Sequence, residues 1–366
     1  EIARAVVAQV MPRVEPPPSQ ASAMSSTNFE AYLSFMIGRD QLNRRPVGWH
    51  PKALAAFDRA IELDPAFARA YAGKAIAEAL GSLRVAAPGP GMQRAKLAAD
   101  RAMQLDPALA LGHAARGVIL LNENKDLRAA EDALRQALKL DPALSAAYNW
   151  LNLALVGQGK IAESMWQLEK GLEVDPLNPT LLENRGAKLQ GLGRPDEARA
   201  AYLRILQLPD RVVAAHIRLF DLHYSQGELA EALRYARMLE RDSSSAGGAD
   251  KNMAAAPVYA RLGMIQEAER RLRLSTAEPF VLGWLTRFEM TLRTLGRIHE
   301  LEPLAERFSS GEPLAPRMEK LLGRSAVLRG DWDRGIKLLA PLFKQVPQDG
   351  LGGWGIDPVE IDSRLA

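Results

Sequence analysis

Residues 179–210 read PTLLENRGAKLQGLGRPDEARAAYLRILQLPD. Two helical patterns lie on either side of Gly193, a residue that takes left-handed backbone angles without a side-chain clash and so ends a helix. Leu208, Pro209 and Asp210 close the unit, because proline cannot continue a helix. Gly186 in the first pattern, Ala198 at the start of the second and Tyr202 four residues later place small side chains where two helices approach and a large one to fill the gap. The stretch predicts a helical hairpin.

The same punctuation recurs outward from it. Leu63 to Ala66, Leu105 to Ala108 and Leu140 to Ala143 all spell LDPA, and Val174-Asp175-Pro176-Leu177 is a fourth copy. Pro65, Pro107, Pro142 and Pro176 are 42, 35 and 34 residues apart, and Pro209 comes 33 later. The block before the reference copy keeps Tyr148, Leu151, Gly159, Ser164, Leu168, Gly171 and Pro176 in phase, with Asn152 where a small residue is expected. Earlier blocks carry Gly117, Ala130, Leu134, Ala137 and Pro142, then Gly73, Ala95, Ala102 and Pro107, then Ala53, Phe57, Ala60 and Pro65. Later ones carry Gly227 and Ala232, then Gly263, Ala268 and Leu272, then Gly296 and Ala305, then Gly323, Gly330, Gly335, Leu339 and Pro347.

A period near 34 with these residues in phase resembles the tetratricopeptide repeat. The resemblance implies an all-α, right-handed α-solenoid of about nine helix pairs, burying one continuous core by nearest-neighbour stacking. The chain then divides into a short helix at Ile2 to Met11 with a linker around Pro16-Pro17-Pro18 (1–26), a regular array (27–242), divergent repeats (243–347) and a tail around Trp354 that caps the last helix (348–366). Residues 82–91 (SLRVAAPGPG) read as a surface loop and 243–251 (SSSAGGADK) as a long turn or hinge.

The flanks carry a second resemblance. EIARAVVAQV, a proline-rich spacer and NFEAYLSFMIGRDQLNRR resemble the junction in bacterial regulators that set a TolB-like domain before a tetratricopeptide tail, among them CadC-type winged-helix activators and class III adenylate cyclases. That resemblance implies a segment of a longer bacterial signalling or transcription-regulatory protein. It also implies a preceding membrane anchor, with this region on the periplasmic side and a cytoplasmic setting as the alternative.

Composition narrows the chemistry. Lys and Arg number 47 against 44 Asp and Glu, a net charge of +3, so the overall field attracts phosphate backbones little and no nucleic-acid contact is expected. The absence of cysteine excludes disulfides and thiolate chemistry. No run is apolar enough to insert into a membrane. His216 and His223 lie seven apart on one helix, at phases where packed imidazoles are expected rather than a metal site. GPG at 89–91 and GLGG at 350–353 lack the following Lys-Ser/Thr of a phosphate loop and read as turns, and Asp331 and Asp333 read as helix-start acids. No cofactor, metal or catalytic residue is expected, and the chain reads as a non-enzyme.

In the tetratricopeptide architecture the first helix of each pair lines the concave groove. The phases that face it hold Asn149, Glu183, Ala187, Gln190, Ile217, Asp221 and Tyr224, a mixed surface suited to an extended peptide or protein partner. Asn184 and Arg218 match two positions of the family's two-carboxylate clamp, while Asn149 and Leu153 stand at others, so the clamp is incomplete. The expected function is a protein-interaction scaffold. The alternative is a small-molecule sensor whose pocket near 243–251 alters the curvature. The oligomeric state is left open by the sequence.

Overall fold

The computed structural model describes residues 28–44, 48–82, 90–123, 126–208, 212–241, 248–276, 285–303, 322–323, 325–327 and 330–343. The expected N-terminal helix, proline-rich linker and C-terminal cap lie outside these residues. Within them the protein is all α, built as consecutive packed pairs. The pairs are α1 (Phe29–Arg44) with α2 (Trp49–Leu63), α3 (Ala68–Ser82) with α4 (Pro90–Leu105), α5 (Ala110–Glu123) with α6 (Leu127–Leu140), and α7 (Ser145–Gly157) with α8 (Ile161–Val174). They continue as α9 (Pro179–Gly191) with α10 (Pro195–Ile205), α11 (Val212–Gln226) with α12 (Leu229–Arg241), and α13 (Gly248–Arg261) with α14 (Ile265–Thr276). Then come α15 (Leu285–Thr294) and, after a 3-10 turn at Ile298–Glu300, α16 (Trp332–Phe343).

Two parts of this differ from the sequence reading. Pro90 and Gly91 are the opening residues of α4, where proline is tolerated in the first turn. Gly248 to Lys251 open α13 rather than extending a loop. Local composition marked both stretches as irregular, but the packed helices extend into them.

From α7 onward, the turn after each described first helix is one device repeated. Gly159, Gly193, Gly227, Gly263, Gly296 and Gly330 all have φ between 71° and 81°, at separations of 34, 34, 36, 33 and 34 residues. In each copy the next residue's amide reaches back to a carbonyl five residues earlier: Lys160 to Leu155 at 2.9 Å, Arg194 to Leu189 at 2.9 Å and Glu228 to His223 at 2.9 Å. This left-handed close satisfies carbonyls that the helix end leaves bare.

The Leu-Asp-Pro-Ala marks have a different purpose. The aspartate before proline is pushed out of the α region, and Asp64 and Asp141 close their helices in extended geometry at φ −147° and −139°. Their carboxylates then accept the amide two residues on: Asp64 from Ala66, Asp106 from Ala108 and Asp141 from Ala143, each at 3.0 Å. The tetrapeptide is therefore a stop and a turn in one.

Close approach of the helices fixes the small residues. A Cβ on Gly186 would lie 2.3 Å from the Tyr202 ring, and one on Gly117 would lie 2.5 Å from Leu134. The buried apolar residues run along the chain from Ala31 to Leu155 and from Leu168 to Ala268, with a further group around Phe288 and Leu292. Asn152, at the phase where a small residue is expected, is almost fully buried.

Charges stitch the second helices to the turns that follow. The carboxylate of Glu131, nearly buried, accepts Lys160 Nζ at 2.7 Å, Gln158 Nε2 at 2.8 Å and Arg135 Nε at 2.9 Å. Burial works to raise its pKa, and the three donors outweigh it and hold the carboxyl down at about 2, below the ordinary 4.5. Since the folded value is depressed, this stabilisation is complete above about pH 4.5 and is lost as the pH falls toward 2. Glu131→Gln should lower stability at pH 7 by about 1–2 kcal/mol, allowing for the exposure of Lys160 and Arg135. Urea titrations of both proteins should converge between pH 5 and 2.5; a gap that stays constant with pH would refute the assignment.

Candidate functional site

The first helices of successive pairs pack beside one another, α7 on α9 and α9 on α11. Across that seam the structure draws a ladder of polar rungs. Asn184 of α9 donates to Asn149 Oδ1 of α7 at 2.5 Å. Arg218 Nε of α11 donates to Glu183 Oε1 of α9 at 2.7 Å. Gln190 Nε2 donates to Ser225 Oγ at 3.2 Å. Each rung joins residues 35 apart, one repeat. Asp221 of α11 skips a repeat and accepts Arg287 Nη2 of α15 at 3.1 Å. Arg287 is buried and lies over the Phe220 ring at 4.6 Å.

The residues expected to face the groove thus divide. Glu183, Asn184, Ala187, Gln190, Arg218 and Asp221 form one first-helix surface, part-exposed, with Ala187 exposed at its centre. Ile217 is half-buried against the core. Tyr224 is core: it stacks on Phe220 at 5.7 Å and 17°, and Arg261 covers its ring at 4.8 Å. Asn149 is buried as well and borders a small recess with Leu42 and Asn43 from the end of α1 and Asn178 and Thr180 at the start of α9. The first-helix face is therefore closed at Asn149, where the end of α1 meets α7, and accessible further along α7 at Leu153 and along α9 and α11. The periodic pattern assigned Asn149 and Tyr224 to the right helices; it could not show that other repeats fold over them.

Electrostatics keeps the ladder charged. Burial lowers the Arg218 pKa, and Glu183 and Asp221 outweigh it and raise it, so the guanidinium stays cationic. Tyr202 behind this surface is pushed up to about 12 by burial. Lys188 on α9 is a feature that sequence patterns did not flag: it donates to Ser164 Oγ of α8, and burial brings it down to about 8. Both Asn184 and Arg218, the two clamp-like residues, already hold protein partners.

Elsewhere the expected structural roles are observed. His223 is buried, bonds Glu228 through Nδ1 and stacks on Tyr235 at 5.5 Å, while His216 meets the same ring at 5.8 Å. Asp331 caps α16 by accepting the Arg334 amide at 3.2 Å. Trp166 is exposed but sits on a second helix with Lys170 at 5.7 Å, away from the ladder. Among the described residues no three metal-ligating side chains converge, and no helix is long and apolar enough to cross a membrane.

Repeated pairs, glycine turns and a first-helix surface together define a helical-repeat solenoid of the tetratricopeptide type. Residues 184–247 match the tetratricopeptide-repeat family profile. A curated protein of Mycosarcoma maydis, small glutamine-rich tetratricopeptide repeat-containing protein 2, is 35% identical over 72 residues, 20% of each chain, so the likeness spans one fifth of that relative's length. An IFIT1 monomeric mutant with Gppp-AAAA is similar in structure, with TM-score 0.55 and 16% identity over 86% of this chain and 71% of that one. A human IFIT1 dimer with m7Gppp-AAAA gives TM-score 0.52 and 15% identity over 86% and 72%. At these identities the two structures show the shared fold. Tetratricopeptide proteins generally mediate protein–protein interactions, and the fold is generally a non-catalytic scaffold.

Proposed function

We propose that this chain is a non-catalytic docking scaffold that holds an extended peptide segment of a partner protein along the first-helix face of α9 and α11. The observation that carries the reading is the exposed Ala187, set between the Glu183–Arg218 and Gln190–Ser225 rungs. A small residue there leaves room for a ligand backbone, and the part-exposed amides and charges beside it offer hydrogen bonds at one-repeat spacing. A free C-terminal carboxylate is a poor fit, since it would have to displace Glu183 from Arg218. The flank resemblance supports the finer reading that this is the regulatory tail of a bacterial signalling or transcription-regulatory protein, on the periplasmic side of a membrane anchor.

Photo-crosslinking tests the surface. A benzoylphenylalanine at position 187 should trap a partner from bacterial extract that the same group at exposed Leu203, on the second helix α10, does not trap. Adding Arg218→Glu should reduce the yield at 187 at least about tenfold, the loss of one strong interfacial charge contact. Equal labelling at 187 and 203, or indifference to Arg218→Glu, would sink the proposal.

A further inference from the structure

Lys188 stands at a core phase. Five residues before the six left-handed glycines come Ala154, Lys188, Leu222, Val258, Thr291 and Ser325, and all but Lys188 are 0–2% exposed. Five residues after the same glycines come Ser164, Ala198, Ala232, Ala268, Leu301 and Gly335, all buried. The charged member of the first row meets the hydroxyl of the second: half-buried Lys188 donates through Nζ to Ser164 Oγ. The Ser164 proton is already given to the Ile161 carbonyl at 2.6 Å. Ser164 can therefore only accept, and the lone pair of a neutral Lys188 amine is left uncapped. The acids and bases on the elements around it are matched elsewhere. Glu169 of α8 holds Arg185 at 2.6 Å, Glu163 holds Arg135, Lys160 is on Glu131 at 2.7 Å, and Arg194 is on Glu197 at 2.6 Å. Among the described residues Lys188 has no carboxylate partner.

We propose that Lys188 is an acylation site, whose amine takes the acyl group of a small activated donor of the acyl phosphate class. The lone pair attacks the donor carbonyl carbon and a C–N bond forms. The C–O bond to phosphate breaks, phosphate leaves with the electron pair, and the surplus proton on nitrogen passes to solvent. Nothing is oxidised or reduced. A lysine without a carboxylate partner in a half-buried joint is a poor place for charge and a good one for a nucleophile. Burial brings its pKa to about 8 from the ordinary 10.5, so at pH 7.5 about a quarter of the amine is neutral, against about a thousandth for an ordinary lysine. The product suits the site better than the reactant does. An amide carries no charge to bury, and its N–H can still donate to Ser164 Oγ.

The chain has no cysteine, so acyl transfer is not diverted to a thiol. With acetyl phosphate and the full chain at pH 7.5, mass mapping should find Lys188 acetylated at least about fivefold faster than exposed Lys52 and Lys139. That lead should vanish at pH 10.5, where ordinary amines also become neutral. Ser164→Ala, the residue that three other repeats carry at this phase, should fold and keep the lead. Stability supplies a second readout, with Lys188→Gln standing in for the acylated side chain. The folded pKa lies below the unfolded one, so the unfolded parent binds the extra proton and gains stability as the pH rises from about 8 to 10.5. The urea midpoint of Lys188→Gln should therefore exceed that of the parent at pH 7.5 and approach it at pH 10.5. Acetylation of Lys188 no faster than of Lys52 and Lys139 at pH 7.5 would overturn the proposal. So would a midpoint gap that does not change with pH.

Discussion

Tyr202→Ala should destabilise the α9–α10 pair by about 3–5 kcal/mol, the range for removing a buried aromatic ring. Tyr202 is fully buried at the joint where α10 crosses α9, and its ring takes the space that Gly186 leaves. The partner substitution should fail for the opposite reason: Gly186→Ala puts a methyl 2.3 Å from a ring carbon, and overpacking of a rigid core costs about 1–3 kcal/mol. Joining Gly186→Ala to Tyr202→Leu should recover part of both losses, since the smaller side chain makes room for the methyl. Denaturant titration with amide exchange in α9 and α10 gives the measurement, because repeat arrays open segment by segment. A loss under 1 kcal/mol for Tyr202→Ala would mean that the ring does not hold the pair together.

Asp221→Ala should cost about 2–4 kcal/mol, although Asp221 was expected on a ligand-facing surface. Its carboxylate accepts Arg287, whose side chain is 5% exposed and pressed on Phe220, so the substitution leaves a buried guanidinium without that carboxylate. Breaking a buried pair from one side costs more than replacing both members with apolar groups. Asp221→Leu combined with Arg287→Leu should therefore lie closer to the parent than Asp221→Ala alone. If Asp221→Ala matches the parent within 0.5 kcal/mol while peptide binding falls, Asp221 is a ligand contact and the bridge to α15 is incidental. Stability is measured first, because a binding loss in an unstable variant says nothing about contact.

The sequence carried the array because its marks act locally. A glycine at a left-handed turn and an aspartate-proline stop are decided by backbone sterics within four or five residues, so Gly193, Gly227 and the LDPA copies could be read directly and are turns and stops in the structure. The same local rules misread Pro90–Gly91 and Gly248–Lys251, since proline and glycine at a helix start differ little from a turn until neighbouring helices draw the segment in.

The surface followed a different logic. A helix phase says which way a side chain points, so Glu183, Asn184, Gln190, Arg218 and Asp221 were placed on one face by counting. Phase could not show that Asn149 closes against α1, that Tyr224 lies under Arg261, or that the polar residues bond one another across 35 and 66 positions. By itself the sequence determined the helix pairs, their turns and the small-for-large exchange in the core, because each depends on near neighbours along the chain. Only the tertiary structure decided which of the outward-pointing residues remain accessible, because accessibility depends on what the superposed repeats bring alongside.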